Sequence, residues 1–385
     1  MNSTPEPEVY LYGSYASYAA AKTRCYLRKK GIPFVERVPA HPRFRTHVRP
    51  NSNNHRIPQI ELKDGSVVQD TAAIVDVLEA KFPEPNIFPP GPRQGLVARL
   101  FEQLLDDLLM RPAWHYRWNY MDENYRFVGR EFGRSFKPQG TDEELDHYGR
   151  VIADRMEGKR AGIGATDDSL PVFETFYKEA LDILEAHFTT IPYLFGGRPS
   201  IADFSLMGSL FGHLARDPLP ASIMKTRAPR VFRWTEAMNT PEIQSPEFAD
   251  FPTEFDAQDE LPETIADLLK LSLEASMGRL PRSADMYNEW VRSQTAVAAG
   301  TPVSEKHDEP SIGHYEASLR GVTMKVGVGL YPLWVHQRTL HWFNTLDADD
   351  QKAGRELLAS FGGERLVDLE LERPLTRAGS YIALG

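Results

Sequence analysis

Apolar and polar positions in the first eighty residues follow two rhythms. Residues 8–13 (Glu8-Val9-Tyr10-Leu11-Tyr12-Gly13) form a short apolar run closed by glycine, which predicts a strand. A helix is predicted over 17–30, because Gly31 suits the left-handed position after a helix end and Pro33 cannot continue one. Residues 34–38 read as a second strand, and the Pro-, Asn- and Arg-rich residues 39–56 as a connection with at most a short helix. Ile60 and Leu62 alternate with polar neighbours, Asp64-Gly65 marks a hairpin turn, and Val67-Val68 returns as the partner strand. From Asp70 the period changes, and Ile74, Val77, Leu78 and Phe82 share one helical face. Strand, helix, strand, crossover, hairpin and helix in that order suit a mixed sheet with helical cover.

Five prolines and one glycine within residues 83–92 mark a linker. Beyond it Leu96, Leu100, Leu104 and Leu108 predict a long amphipathic helix, and helical patterns recur over 141–158, 171–188, 200–215 and 229–239. An irregular acidic stretch at 241–262 closes this part. Residues 263–278 and 283–295 read as helices, and 296–313 as a loop. Tyr315, Ala317 and Leu319 then alternate on one parity and Val322, Met324, Val326 and Val328 on the other, so Gly321 predicts a bulge or a tight turn. Helices are predicted over 333–345 and 348–361, and a last strand over 365–372. Three units follow, 8–83, 93–250 and 263–385, in keeping with a 385-residue chain too long for one core.

Charge and composition narrow the functions. A net charge of -10 and a pI near 5.6 argue against a broad surface for nucleic acid or anionic lipid. No apolar run approaches the ~20 residues that cross a bilayer. The polar, acidic first eight residues lack the basic and apolar regions of a signal peptide, so a cytoplasmic protein is expected. A single cysteine, Cys25, excludes an intramolecular disulfide and any Cys-x-x-Cys redox or zinc site. His336 and His341 are five apart and do not align on a helix face, and Gly327-Val328-Gly329 lacks the third glycine of a dinucleotide site. No metal is expected.

Three short constellations carry candidate chemistry. Ile57-Pro58 places a proline at a strand start; with a cis bond, Ile57 can offer its N–H and C=O to an extended peptide. Gln69-Asp70-Thr71 stands where the hairpin meets a helix, and Asp70 or Thr71 suits the cap. The same helix N-terminus suits a carboxylate and the Asp70 side chain an ammonium group, so the pair also fits an amino-acid head. Gly13-Ser14-Tyr15-Ala16-Ser17-Tyr18 enters the first helix, where a hydroxyl and the helix dipole would stabilise a ligand thiolate. Ser17 is equally a plain cap, and Ser14, Tyr15 and Tyr18 compete for the thiol.

The strings Tyr10-Leu11-Tyr12-Gly13-Ser14-Tyr15-Ala16-Ser17, Lys22-Thr23-Arg24, Lys30-Gly31-Ile32-Pro33-Phe34, Ile57-Pro58 and Gln69-Asp70-Thr71-Ala72-Ala73-Ile74 resemble the glutathione transferases. Phe195-Gly196-Gly197-Arg198-Pro199-Ser200-Ile201-Ala202-Asp203 resembles the capping motif of a central helix in that family. The resemblance covers residues 8–240. It implies an α/β thioredoxin-like domain, an all-α C-terminal domain and, outside the resemblance, a smaller α/β extension. It implies glutathione as co-substrate and a homodimer, with chemistry of the detoxification type. Ser17 would activate the thiol, Ile57 with cis-Pro58 would pair with the cysteinyl backbone, and Asp70 with Thr71, in place of the commoner Glu-Ser, would hold the γ-glutamyl group. The thiolate would attack a small hydrophobic electrophile by conjugation, ether cleavage, dehalogenation or isomerisation. Arg37, Arg43, Arg45, Arg49 and Arg56 would draw in the anionic peptide unless they form a solvated loop. The aromatic residues at 114–127 would shape the second site or pack as core. The alanine-rich first helix and the unmatched C-terminal third also admit a non-catalytic binding or scaffold protein.

Overall fold

The structure, a computed structural model, describes residues 7–157, 163–294, 297–303 and 311–385. β1 (Val9–Tyr12) pairs in parallel with β2 (Phe34–Arg37) and antiparallel with β3 (Gln59–Leu62), and β3 pairs antiparallel with β4 (Val67–Gln69). The strand order is β2-β1-β3-β4. α1 (Tyr18–Lys29) is buried along most of its length because it touches the helical domain as well as its own domain. Its alanines have a reason: a Cβ at Gly212 would come within 2.9 Å of the Tyr18 Cα and 3.4 Å of the Ala21 Cβ, so only small residues fit that contact. The 39–56 crossover holds more helix than its composition suggests. A π-helical turn at Phe44–Val48 runs into α2 (Arg49–Ser52), because Phe44 and Val48, four apart, bury one face against Tyr12. α3 (Thr71–Lys81) completes the domain.

α4 (Pro92–Asn119) is the axis of the molecule. Asp259 caps it from the far end of the domain, accepting from Arg93 N at 2.9 Å and Gln94 N at 2.8 Å. That carboxylate lies where any side chain at Gly91 would stand, 2.1 Å from a Cβ built there, so position 91 needs glycine. Next come α5 (Met121–Phe136), α6 (Asp142–Glu157), α7 (Leu170–His187), α8 (Ile201–Ser209), α9 (Pro218–Arg227) and α10 (Pro229–Ala237). All nine residues of α8 are buried, and Asp203 reaches back from it to accept from Ser200 N at 2.8 Å and Leu194 N at 3.0 Å. α5 and α9 fall between the segments for which the sequence predicts helices.

The remaining third does not stand apart. α11 (Glu263–Ser276) packs against α4 and α7. α12 (Arg279–Ser293) follows a turn at Met277 and Gly278, both left-handed. The hairpin of β5 (Ser311–Leu319) and β6 (Val322–Gly329) turns tightly through Arg320 (φ 49°) and Gly321 (φ 84°), which accounts for the parity switch. α13 (Leu330–Phe343) and α14 (Ala348–Ala359) both lie on α4. The predicted strand at 365–372 is a single 3-10 turn, Glu364–Val367, that buries the adjacent Leu366 and Val367 together, whereas a strand would send them to opposite faces. A hairpin missed in the sequence, β7 (Leu375–Ala378) with β8 (Tyr381–Leu384), ends the chain. Of the predicted 296–313 loop, residues 296 and 304–310 lie outside the described residues, and 311–313 belong to β5.

Two buried histidines tie these parts. His187 Nε2 meets the Tyr193 carbonyl at 3.0 Å and His336 Nε2 the Leu366 carbonyl at 2.7 Å. Burial pushes both down to about 4, and burial with the nearby Arg117 pushes His213 in the same direction. An unfolded histidine titrates near 6.5, so as pH falls from about 6.5 to 4 the unfolded chain binds protons first and stability is lost, on the order of 3 kcal/mol per group. Asp203, raised by burial to about 6, works in the opposite sense over part of this range. The urea midpoint is expected to fall between pH 7 and 4.5, and less steeply in His336→Gln. Parallel slopes for the two proteins would show that His336 titrates normally.

Candidate functional site

A cavity of about 1120 Å³ opens where the sheet domain, α4 and the C-terminal third meet. It exceeds the roughly 300–1,000 Å³ of common ligand pockets, so it has room for two reactants. Ile57, Pro58, Gln69, Asp70 and Thr71 line one wall. Gln103, Asp106, Asp107 and Met110, at i, i+3, i+4 and i+7 along α4, line a second. Tyr331, Arg377 and Tyr381 line the third. Sequence reasoning named the first wall and missed the other two.

The Ile57–Pro58 bond is cis, as expected from the sequence. Ile57 N–H and C=O form no hydrogen bond with any described residue, although Ile57 faces the cavity. The segment before them is fixed from beneath by the buried Gln59, whose Nε2 donates to the carbonyls of Asn54 at 2.9 Å and Arg56 at 2.8 Å.

Asp70 caps α3 with one of its two carboxylate oxygens. Oδ1 accepts from Ala72 N at 2.9 Å, Ala73 N at 3.4 Å and the Tyr331 hydroxyl at 3.1 Å. Oδ2 takes no hydrogen bond from a described residue and belongs to a side chain on the cavity wall. The backbone is held at φ 93°, a region that a non-glycine residue occupies only when its surroundings fix it. Burial raises the Asp70 carboxyl above its usual range, against the pull of Arg377, Tyr331 and the two amides. Incoming positive charge would return it toward the ionised form.

The first-helix hydroxyls divide as well. Ser14 is buried, and its Oγ accepts from Ser135 Oγ at 2.9 Å and from Ala16 N at 3.3 Å. Tyr15 is 43% exposed under the guanidinium of Arg24. Tyr18 lines the cavity, but its ring packs against Gly208 and His213 and its hydroxyl is buried there without a partner among described residues. Ser17 caps α1, accepting from Ala20 N at 3.2 Å, and donates to no described residue; the cavity wall begins at the next residue. Cys25 is fully buried and raised to about 12 by that burial, which leaves it no role as a nucleophile.

Two alternatives left open by the sequence can be compared with the structure. Of the five arginines in the basic loop only Arg56 reaches the cavity; Arg43 is paired with Glu61, and Arg37 lies over the Tyr10 ring at 3.8 Å. None of the aromatic residues at 114–127 lines the cavity. Trp114, Tyr116 and Trp118 are buried, with Trp118 stacking on Phe132 and Tyr116 on Tyr120, as the packing alternative held, whereas Phe127 is exposed under the Arg216 guanidinium. No sequence signal pointed to Tyr331 or Arg377, which stand more than two hundred residues from Asp70 and act only through the docked extension.

Residues 11–86 match the family described as Glutathione S-transferase, N-terminal domain, and residues 177–237 that described as Glutathione S-transferase, C-terminal domain. No curated protein sequence matches the chain. Among solved structures it is similar to glutathione transferase GSTFuA3 from Phanerochaete chrysosporium, at 18% identity over 63% of this chain and 100% of that one, with a TM-score of 0.44. It is similar to the beta-etherase LigF from Sphingobium sp. strain SYK-6, at 18% identity over 62% and 96%, TM-score 0.42. A glutathione S-transferase from Methylobacterium radiotolerans JCM 2831, in complex with glutathione sulfonate, shares 20% over 66% and 99%, TM-score 0.36. These likenesses carry no argument about reaction or ligand; the two matched domains carry the family. The four-stranded sheet domain and the helical domain around a buried, Asp203-capped helix are thus those of the glutathione S-transferase superfamily, and the residues beyond 240 are an extension that neither domain family covers.

Proposed function

We propose that the protein is a glutathione transferase, binding glutathione along the Ile57–Thr71 wall and directing its thiolate at a small electrophile. One observation carries this reading: an uncommitted peptide backbone at Ile57 and an uncommitted carboxylate oxygen at Asp70 face the same cavity. Ile57 N–H and C=O would pair with the cysteinyl residue, beside cis-Pro58. Asp70 Oδ2 would take the γ-glutamyl ammonium, with Thr71 at the helix start for the carboxylate. Ser17, one residue before the cavity wall and with its hydroxyl proton free, would donate to the thiolate. An electrophile with an apolar body would lie against Met110, Ile312 and Val326, which line the far side. Conjugation, ether cleavage, dehalogenation and isomerisation all begin with this thiolate.

Calorimetric titration with glutathione, followed by a turnover screen over electrophiles, tests the reading, and absence of binding overturns it. Binding without turnover favours the scaffold alternative, which draws support from Ser17 standing outside the cavity wall. Asp70→Asn keeps Oδ1 as a cap but removes the charge; it is expected to weaken glutathione binding by roughly 1.5–3 kcal/mol, the worth of a hydrogen bond to a charged group. Unchanged affinity with intact circular dichroism would reduce Asp70 to a cap.

A further inference from the structure

An amino-acid head carries its ammonium and its carboxylate on one carbon, so a site that reads both must hold opposite charges side by side, facing the same space. The sheet domain offers the negative one at Asp70. The positive one comes from the other end of the chain. Arg377 on β7 brings Nη1 to 3.9 Å from Asp70 Oδ1, too far for a hydrogen bond and close enough to flank the same group. Its other donors are occupied: Nη2 donates to Gln69 Oε1 at 3.0 Å and Nε to the Gly379 carbonyl at 3.3 Å. The guanidinium lies 5.1 Å from the centroid of the Trp334 ring. The fork is thus oriented from two sides, with Nη1 left over and the side chain on the cavity wall.

We infer that Arg377 binds the α-carboxylate of the γ-glutamyl residue, so that the extension completes the glutathione site within one chain. This rests on the glutathione-binding reading above and adds a residue to it. Anchoring the last hairpin does not require Arg377. Ser380 Oγ already donates to the Ser52 carbonyl at 2.5 Å, Asn53 Nδ2 to the Tyr381 hydroxyl at 3.2 Å, and Gln337 bonds both the N–H and the C=O of Leu375, at 2.8 and 2.9 Å. Tyr331 complements Arg377 from the other side: its hydroxyl donates to Asp70 Oδ1 and so keeps Oδ2 turned free for the ammonium. The γ-glutamyl end is therefore read by Asp70, Thr71 and Arg377, with Tyr331 positioning Asp70, and both Arg377 and Tyr331 come from residues beyond 262.

The inference is tested by calorimetry on the full chain with three peptides: glutathione, the 4-aminobutyryl-cysteinyl-glycine analogue that lacks the α-carboxylate, and the glutaryl-cysteinyl-glycine analogue that lacks the ammonium. Arg377→Ala is expected to weaken glutathione and the glutaryl analogue by roughly 10- to 100-fold, the range for a charge-assisted hydrogen bond, and to leave the 4-aminobutyryl analogue at its wild-type affinity. Arg377→Lys keeps the charge without the fork and should recover part of the loss. Equal losses for all three peptides would mean that Arg377 only supports the wall, and no loss for any would mean that it does not touch the ligand; either result overturns the inference and leaves the glutathione reading standing. Failure of the wild-type chain to bind glutathione overturns both.

Discussion

Arg117→Met is expected to destabilise the protein by about 3–5 kcal/mol, the cost of removing one partner from a buried ion pair. Arg117 on α4 forms a fork on Asp217, with Nε to Oδ2 at 2.6 Å and Nη2 to Oδ1 at 2.7 Å, and the two side chains are 2% and 1% exposed. It also donates to the Ala16 carbonyl at 2.8 Å and the Gly212 carbonyl at 2.7 Å. Methionine would fill much of the space and satisfy none of these acceptors, leaving a buried carboxylate and two buried carbonyls. Because Ala16 precedes the α1 cap, the same substitution loosens the turn that presents Ser17. Urea unfolding monitored by tryptophan fluorescence measures the loss; a change under 1 kcal/mol would mean that water reaches Asp217.

Ser17→Ala is expected to lower turnover roughly 10²–10³-fold, by analogy with removing one donor from an oxyanion site. A hydrogen bond from Ser17 favours thiolate over thiol, so its loss should raise the bound thiol's pKa and leave glutathione affinity largely intact. The lost cap costs about 1 kcal/mol of stability and is a separate effect. Thiolate absorbance against pH separates them, measured for wild type, Ser14→Ala, Tyr15→Phe, Ser17→Ala and Tyr18→Phe. If another variant shifts the titration and Ser17→Ala does not, activation passes to that residue. If none shifts it, the scaffold reading stands instead.

Legibility in the sequence tracked how local the causes were. β1 to α3 could be read residue by residue because Gly31, Pro33, Asp64-Gly65 and Asp70 act on their own neighbours. α5 was hidden by Gly129 and Gly133, which look like interruptions. At Gly133 α6 crosses so closely that a Cβ would meet the Leu145 carbonyl at 2.4 Å, and at Gly129 a Cβ would meet the Tyr125 ring at 2.9 Å. The last hairpin was missed because its strands are four residues each and its turn at Gly379 carries a weak signal. In the site, Ile57, Pro58, Asp70 and Thr71 belong to local motifs and were legible. Tyr331 and Arg377 owe their position to tertiary docking, which no local pattern encodes. The aromatic run at 114–127 left two readings open in the sequence because the same side chains suit a core or a pocket.

The ionic string that crosses α4 bears on how copies of this chain can associate. Arg338 on α13 reaches both Asp76 on α3 and Glu102 on α4, and Glu102 in turn holds Lys22 on α1 at 2.6 Å. Beside it Trp342 lies against Gly95, and Phe343 against Gly354 of α14. The flank of α4 from Gly95 to Glu102 is therefore already covered by its own chain, while the Asp76 side chain on α3 stays half exposed. No two-fold axis can bring a second copy onto that flank of α4 while α13 and α14 stay docked, so the axis of any homodimer lies elsewhere.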